Sequence, residues 1–331
     1  MNILMTGGTG SVGSRLVMSL LKTNSLSDKQ TSQNRVFIFT RNKIESEKIH
    51  YIQADLCNKE ALKNVDMKGI DVVYHLAANL DEQDPKMYED NIESTKNIIE
   101  LSKKAFVKHI IFLSSSGVLG ETKEESTENM DYNPKTLYEK SKMECEILIK
   151  ESGIAYTIIR ASIIIAPNKI WQSIVGAAKK GFPIIGSGEN KFHVSYIDDV
   201  VSLLYLVKDN EKAKNEIFHI ATKDVPTYKE VYKMICDELK CEMTKKHISV
   251  FTIKFILFFK NLFTKDSVIN SASVDRLVRN RNLSIEKAKS LLGFEPKFTT
   301  QQGLHETIKS LKLIRLGYSM QEVAEVSELK K

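Results

Sequence analysis

The sequence has no CxxC pair, no long basic run, no internal repeat and no metal-ligand spacing among its histidines. The absence of paired thiols indicates reduced cysteines rather than zinc ligands or a disulfide framework. The 48 basic and 42 acidic residues give a net charge of +6 that is spread along the chain, so nucleic acid is not a predicted partner. No metal site is predicted either.

Neither a secretory leader nor a spanning helix is expected from the sequence. Residues 1–5 run directly into a glycine-rich turn without a basic region or cleavage site, which predicts a cytoplasmic protein. The most apolar stretch, 248–263, is shorter than the roughly 20 residues of a spanning helix and contains Lys254 and Lys260. It predicts either a buried or pocket-covering helix or a helix in peripheral contact with a membrane.

What the chain does contain is an alternation of short apolar strands and amphipathic helices. The patterns predict strands at 2–6, 35–40, 49–53, 72–76, 110–113 and 156–160, helices near 59–65, 90–105 and 138–152, and a polar loop at 22–34. This order predicts an α/β fold, a Rossmann-type doubly wound parallel sheet with a smaller, mainly helical C-terminal substrate-binding portion.

A glycine-rich turn lies between the first strand and an apolar helix. Gly7, Gly10 and Gly13 follow the spacing G-x-x-G-x-x-G, which lets the backbone approach a pyrophosphate at a helix N-terminus. No acidic residue follows the second strand; Arg41 and Lys43 stand there instead. Because arginine can bind a 2′-phosphate, we expect NADP(H) as the preferred cofactor, with NAD(H) left open.

Domain boundaries follow from this arrangement. Residues 1–167 are expected to form the NAD(P)-binding domain, and later strands from about 192–222 to return to it. The segments 168–191 and 223–312 are expected to bind substrate, and 313–331 to form a tail.

Tyr138 and Lys142 form a potential proton-transfer pair. Their i,i+4 spacing places both side chains on one face of a helix. A phenol titrates near pH ~10, and a neighbouring ammonium favours the phenolate and lowers that pKa. Such a phenol can exchange a proton with a substrate oxygen, which favours oxidoreductase chemistry.

Ordered motifs over almost the whole chain carry a family resemblance. They are TGGTGSVG (6–13), Asp55-Leu56, VVYHLAA (72–78), Asn91 with Thr95 and Asn97, the serine cluster 114–116, YEKSK (138–142), YIDDV (196–200) and SIEKAKSLLGFEP (284–296). The chain resembles the extended short-chain dehydrogenase/reductase family, which includes nucleotide-sugar epimerases, 3β-hydroxysteroid dehydrogenases and dihydroflavonol-type reductases.

The resemblance implies roles for individual residues. Counting back from Gly120 identifies Ser115 as the serine that holds the substrate oxygen, with Ser114 and Ser116 as second choices. Tyr138 would exchange the proton, and Lys142 would bind the nicotinamide ribose and lower the tyrosine pKa. The other implied cofactor-binding residues are Gly7, Thr9, Gly10, Ser11, Val12, Gly13, Asp55, Leu56, Leu76, Ala77, Ala78 and Asn91.

Several chemistries share these residues. Ser116 and Gly117 stand where sugar 4,6-dehydratases of the family carry an acidic pair, which disfavours dehydration. Phe192 stands where many sugar-nucleotide enzymes have a phosphate-binding arginine, so we expect a substrate without a diphosphate. The favoured function is interconversion of a carbonyl and a secondary alcohol by hydride transfer. The alternatives are a nucleotide-sugar 4-epimerase and a non-catalytic NAD(P)-binding sensor or scaffold.

The expected partners are a small-molecule substrate and a second copy of the chain. By analogy with the family, the homodimer would form through the helices near 90–105 and 138–152. His75 is expected to pack beside the cofactor, Asp198 and Asp199 to cap a helix, and Trp171 either to touch substrate or to lie in the core.

Overall fold

The central layer is a sheet of seven parallel strands. The computed structural model describes residues 1–26, 34–42, 44, 46, 48–122, 124–263 and 271–316, with the backbone alone at 23–26 and 259–263. In spatial order the strands are β10 (Glu216–Ile220), β6 (Tyr156–Ala161), β5 (His109–Ser115), β4 (Val72–His75), β1 (Asn2–Thr6), β2 (Arg35–Thr40) and β3 (His50–Gln53). The strand order reverses at β1, between β2 and β4, and such a switch point opens a ligand crevice at the carboxyl edge of the sheet.

Helices cover both faces of this sheet, which explains the apolar runs of central strands such as β1 and β5. On one face, Ile3 and Met5 of β1 share a core with Leu16 of α1 (Ser11–Leu26). On the other face, Leu4 shares a core with Ile98 of α3 (Met87–Lys104) and Ile149 of α4 (Leu137–Lys150). Helix α6 (Ile197–Val207) packs against α1. The short helix α2 (Lys59–Leu62) follows the edge strand β3.

The C-terminal portion is mainly helical and rests against one end of the sheet. Two small parallel sheets join β7 (Ile163–Ile165) to β9 (Val194–Tyr196) and β8 (Ile184–Ile185) to β11 (His247–Ile248). The helices are α5 (Lys169–Lys179), α7 (Tyr228–Leu239), α8 (Val250–Phe263), α9 (Ser271–Val278), α10 (Glu286–Leu292) and α11 (Thr300–Arg315). Single 3-10 turns occur at Ser116–Leu119 and Glu211–Ala213.

The predicted fold class is confirmed, with differences at element ends. Helix α1 continues to Leu26, where a loop from residue 22 was expected, because the weak helix formers there extend a helix that is already nucleated. Helix α3 begins at Met87 and so starts before residue 90. Residues 27–33 of the expected loop and 317–331 of the expected tail lie outside the described residues. The division into domains stays a prediction. The pairing of β10 with β6 agrees with its expectation that strands from about 192–222 return to the first domain.

Candidate active site

The glycine turn is built around close backbone contacts. Gly7 has a φ of +70°, and a Cβ at this position would lie 2.7 Å from the Ala77 nitrogen. A Cβ on Gly13 would lie 2.2 Å from the Gly7 carbonyl oxygen. The Gly10 nitrogen donates a hydrogen bond to that same oxygen at 3.0 Å and closes the turn. Glycine is therefore required at 7 and 13 for α1 to begin directly behind the turn.

This turn fits the diphosphate of a dinucleotide. Thr9 and Gly10 are exposed at its tip, and Ser11 and Val12 form the half-buried first turn of α1. Free backbone N–H groups and the positive end of the helix dipole meet there. Gly7 and Gly13 let the backbone close tightly on itself, and the exposed tip at Thr9 and Gly10 stays open to a ligand such as a pyrophosphate.

A buried hydrogen-bond chain fixes the ends of β1 and β4. The Ala77 nitrogen donates to Thr6 Oγ1 at 3.1 Å, and that hydroxyl lies 2.8 Å from His75 Nδ1. Thr95 donates to the Asn91 carbonyl oxygen at 2.8 Å, which leaves its oxygen to accept from His75 Nε2 at 2.9 Å. Burial, and next Lys142, lower the pKa of His75 to about 3. A neutral imidazole thus holds the two strand ends in register.

Asn91 holds the loop after β4. Its Oδ1 accepts from the Asn79 nitrogen at 2.7 Å, and its Nδ2 donates to the Asn79 carbonyl at 3.0 Å and to Ser141 Oγ at 3.1 Å. The amide therefore ties α3 and α4 to the segment that follows Leu76, Ala77 and Ala78, all three of which are half-buried.

The Asp55-Leu56 turn lies beyond the end of β3. Asp55 is exposed and its Oδ1 accepts from the Cys57 nitrogen at 2.9 Å. Leu56 is buried, and its carbonyl oxygen accepts from Asn97 Nδ2 at 2.8 Å. Asn97 therefore anchors this turn to α3, on the far side of β1 from Tyr138.

The serine cluster separates into two environments. Ser114 is buried and donates to Glu146 Oε1 at 2.5 Å, inside an ion pair between Glu146 and Arg160 that is itself buried. Ser115 ends β5, is half-buried, and its Oγ accepts from the Gly117 nitrogen at 3.1 Å. That acceptance leaves the Ser115 hydroxyl hydrogen available to a ligand, whereas Ser114 is committed to the core.

Tyr138 and Lys142 lie in the first turns of α4, whose start is fixed by a capping box. Thr136 Oγ1 accepts from the Glu139 nitrogen at 3.2 Å, and Glu139 Oε2 accepts from the Thr136 nitrogen at 3.1 Å. Tyr138 is half-buried and Lys142 is 2% exposed, with Nζ 4.1 Å from the centre of the Phe112 ring. Lys142 therefore packs against β5, and the i,i+4 spacing puts Tyr138 on the same face of α4.

The pKa of Tyr138 differs from the expectation. Burial raises it to about 12, and the cation that opposes this rise is Arg276 rather than Lys142. Lys142 is itself so buried that its pKa falls to about 8, with Cys145 and Glu146 acting in the opposite direction. In the protein chain by itself, desolvation outweighs the ammonium, and Tyr138 is a neutral phenol at physiological pH.

Sequence reasoning missed two arginine–glutamate ion pairs whose members include charges that act on Tyr138. Arg276 Nη2 lies 2.9 Å from Glu82 Oε2, and Arg279 Nη1 lies 2.5 Å from Glu139 Oε1. The Glu82 side chain is 6% exposed, and those of Arg279 and Glu139 are 5% and 2% exposed. The available signal was the three closely spaced arginines of DRLVRNR (275–281), but only long-range packing shows that Arg279 pairs with Glu139 of α4.

Other predicted residues are placed as follows. Arg41 is exposed directly after β2, and Lys43 lies outside the described residues. Asp198 does not cap a helix; it pairs with Arg15 Nη1 at 2.5 Å. Asp199 accepts from the Lys297 nitrogen at 2.8 Å, so the expected helix cap is wrong. Trp171 is 1% exposed and donates from Nε1 to the Ile164 carbonyl, which places it in the core.

The candidate site contains no feature of a metal centre. Within the described ranges, no group of three or more His, Cys, Asp or Glu side chains is arranged to hold a metal ion. No helix among those residues is long and apolar enough to cross a membrane.

Comparison with known proteins assigns this geometry to a family. The model described as the NAD dependent epimerase/dehydratase family matches residues 3–221, well over half of the 331-residue chain. The chain belongs to this family. The predicted resemblance to extended short-chain dehydrogenase/reductases is confirmed, and the protein is an enzyme of that type rather than a non-catalytic relative.

Relatives of this epimerase/dehydratase family member act on different substrates. It is 24% identical to N-acetyl-alpha-D-glucosaminyl-diphospho-ditrans,octacis-undecaprenol 4-epimerase of Escherichia coli O157:H7, covering 93% of this chain and 94% of that protein. It is 28% identical to 3beta-hydroxysteroid-dehydrogenase/decarboxylase isoform 1 of Arabidopsis thaliana, covering 87% and 73%. A solved UDP-glucuronic acid 4-epimerase from Bacillus cereus in complex with NAD superposes with a TM-score of 0.72 at 22% identity, covering 95% and 99%.

Proposed function

We propose that the protein interconverts a carbonyl and a secondary alcohol by hydride transfer, with Tyr138 as the acid/base. The observation that carries this proposal is that Tyr138 and Lys142 share one face of α4, which packs against β5 and the 3-10 turn Ser116–Leu119. The glycine turn follows β1, two strands away at the same carboxyl edge of the parallel sheet. The turn fits a dinucleotide, and the bound dinucleotide supplies the hydride.

The protein's own residues handle the proton. The pKa of Tyr138, near 12, keeps the phenol protonated, so it can donate to the oxygen of a carbonyl as that oxygen gains negative charge. The Gly117 nitrogen donates to Ser115 Oγ, which orients the serine hydroxyl and leaves its hydrogen unused. That hydrogen donates a second hydrogen bond to the same substrate oxygen. Arg276 supplies positive charge near the phenol and favours its deprotonation in the reverse direction.

The cofactor preference is a separate proposal. Arg41 is exposed directly after β2, the strand beside β1 and its glycine turn, where the ribose of a dinucleotide is expected. A guanidinium there can bind a 2′-phosphate in a bidentate manner. We therefore propose that the enzyme prefers NADP(H) to NAD(H).

Epimerisation of a nucleotide sugar is the second candidate function. It would use the same three residues in two successive hydride transfers, with no net consumption of cofactor. The similarity to a diphospho-undecaprenol-linked sugar 4-epimerase over nearly the whole chain is the observation that favours it.

A substrate panel separates these functions. Purified full-length enzyme is incubated with NADPH or NADH and ketosteroids, aldehydes or UDP-sugars, and with Tyr138→Phe as the matched control. The redox proposal requires net NADPH consumption with the alcohol as product. Sugar interconversion without net consumption would replace it by the epimerase, and absence of both activities would contradict both proposals.

We further propose that α8, which packs against α9, rests on an anionic membrane surface. Phe251, Phe255 and Phe258 are 79%, 54% and 63% exposed, whereas Ile253 and Leu257 on the opposite side are buried. Lys245 and Lys246 are exposed just before this helix, where they can meet lipid phosphates. A lipid-linked or sterol substrate, such as the relatives' names describe, would be drawn from that surface.

Two expectations about assembly and location stay proposals. We propose a homodimer formed through α3 and α4, which pack side by side on one face of the sheet. Light scattering of the purified protein tests it, and a monomeric mass at micromolar concentration would contradict it. The cytoplasmic location is likewise a prediction.

A further inference from the structure

Two of the four cysteines meet where α7 ends. Cys236 lies in the last turn of this helix, and Cys241 is the second residue after it. All four cysteines of the chain are free thiols. Helix α7 packs against α5 and α11 in the C-terminal portion, and neither of its thiols takes part in the proposed proton transfer.

The backbone brings these two cysteines together. Lys240 follows the helix with a φ of 54° and turns the chain back on itself. The Cys241 nitrogen donates to the Cys236 carbonyl oxygen at 3.0 Å, and the Lys240 nitrogen donates to the Asp237 carbonyl oxygen at 3.2 Å. These two bonds define a Schellman motif, in which the side chains at the positions of Cys236 and Cys241 commonly contact each other.

The separation of the two backbones suits a disulfide. A carbonyl oxygen lies about 2.4 Å from its own Cα, and an amide nitrogen lies about 1.5 Å from its Cα. With the 3.0 Å hydrogen bond between them, the Cα atoms of Cys236 and Cys241 are at most roughly 6.9 Å apart, and any bend in this path brings them closer. Disulfides span about 4.4–6.8 Å between Cα atoms. The two thiols are also within hydrogen-bonding reach of each other, so a bond between them requires little movement of the chain.

The two thiols differ in their access to solvent. Cys236 is 1% exposed, whereas Cys241 is half-buried. Burial, and next the hydrogen bond with Cys241, raise the pKa of Cys236 to about 12, so Cys236 is a protonated thiol at neutral pH. Cys241 is therefore the thiol that an oxidant in solution meets first, and Cys236 is placed to react with the oxidised product.

We propose that Cys236 and Cys241 are a redox-modification site, at which a hydroperoxide oxidises the two thiols to a reversible disulfide. The Cys241 sulfur attacks the peroxide, so an S–O bond forms and the O–O bond breaks. The hydroxide or alkoxide that leaves takes up the thiol proton, and Cys241 becomes a sulfenic acid. The Cys236 sulfur then attacks the Cys241 sulfur, so the S–S bond forms, the S–O bond breaks, and hydroxide leaves with the Cys236 proton as water. The two thiols lose two electrons in all, which the hydroperoxide accepts.

The disulfide would join the last turn of α7 to the connector that leads to β11 and α8. A dithiol reverses it by thiol–disulfide exchange. The inference does not depend on the proposed function, since it needs neither bound dinucleotide nor turnover.

Peptide mapping of the full-length enzyme tests the disulfide directly. The protein is treated with hydrogen peroxide, blocked with N-ethylmaleimide in denaturant and cut with trypsin without reduction. Because Lys240 lies between the two cysteines, trypsin separates them into peptides 234–240 and 241–245, which only a disulfide keeps together. In the intact protein, the number of alkylated cysteines is expected to fall from four to two, and dithiothreitol before blocking is expected to restore four.

Three variants serve as controls. Cys57→Ser removes an exposed thiol elsewhere and is expected to keep the linked peptides. Cys236→Ser is expected to lose them and to leave Cys241 as a sulfenic acid that dimedone labels. Cys241→Ser changes a half-buried residue, is expected to lose the linked peptides as well, and serves if Cys236→Ser does not fold.

The contrary outcomes are distinct. The proposal is overturned if peroxide leaves all four thiols open to alkylation, or if the linked peptides contain Cys57 or Cys145 instead. It is also overturned if Cys241 of the wild type reaches the sulfinic acid without a cross-link.

Discussion

Replacement of Gly13 by alanine is expected to weaken cofactor binding while the protein stays folded. The added Cβ would lie 2.2 Å from the Gly7 carbonyl oxygen and 2.7 Å from Gly8 Cα, far inside van der Waals contact. Both clashing atoms are backbone, so relief requires the turn to move away from α1. Overpacking of this kind costs about 1–3 kcal/mol, which corresponds to roughly 5- to 150-fold in affinity if the cost falls on the bound conformation.

Fluorescence titration with NADPH and NADH measures that loss, and thermal unfolding checks the fold. Gly176→Ala is the matched control, because no atom lies within 4 Å of a Cβ added at that position in α5. It is expected to bind cofactor normally and to be as stable as the wild type or slightly more stable. If Gly13→Ala bound both dinucleotides with wild-type affinity, the glycine turn would not be the pyrophosphate site.

Other predictions concern the cofactor, the membrane and acid stability. NADPH is expected to bind more tightly than NADH, and Arg41→Ala to remove the difference; equal wild-type affinities would contradict the role of Arg41. The Phe251→Ser, Phe258→Ser variant is expected to lose sedimentation with vesicles that contain anionic phosphatidylserine, whereas absence of wild-type sedimentation would refute surface contact. Burial lowers the pKa of His219 in the folded protein to about 3, whereas a histidine in the unfolded chain titrates near ~6.5. Between pH ~6.5 and pH ~3 only the unfolded chain takes up the proton, so the folded protein loses stability as the pH falls through that range. Between pH ~7 and pH ~5, His219 is expected to lower the free energy of unfolding by on the order of 2 kcal/mol. His219→Asn can still donate to the Ser284 carbonyl, and its free energy of unfolding in urea titrations is expected to fall less over this pH range. An equal fall in wild type and variant would contradict the role of His219.

Local sequence patterns were sufficient to predict the parallel sheet, the glycine turn and the Tyr138–Lys142 pair. The strand Asn2–Thr6, the glycine turn behind it and the paired Tyr138 and Lys142 all follow from short-range periodicity and spacing. The family resemblance, confirmed by the model that matches residues 3–221, was the basis for naming Ser115.

The charges around Tyr138 could not be predicted in the same way. Arg276 and Glu139 are more than 130 residues apart in the chain, and their shared influence on the phenol arises only when α9 packs near α4. The burial that raises the tyrosine pKa is likewise a tertiary property, which is why a neighbouring ammonium alone predicted the wrong direction. Asp198 and Asp199 were misassigned for the same reason, since their partners Arg15 and Lys297 lie at opposite ends of the sequence.

The central claim is that Tyr138 transfers the proton during hydride transfer to a carbonyl. The most direct test is the turnover number of Tyr138→Phe on the substrate that the panel identifies, measured beside its affinity for NADPH. The phenylalanine keeps the ring and removes only the hydroxyl, so cofactor affinity is expected to stay at the wild-type value while turnover falls by about 10²- to 10⁴-fold. Unchanged turnover in a folded, cofactor-binding Tyr138→Phe enzyme would contradict the claim.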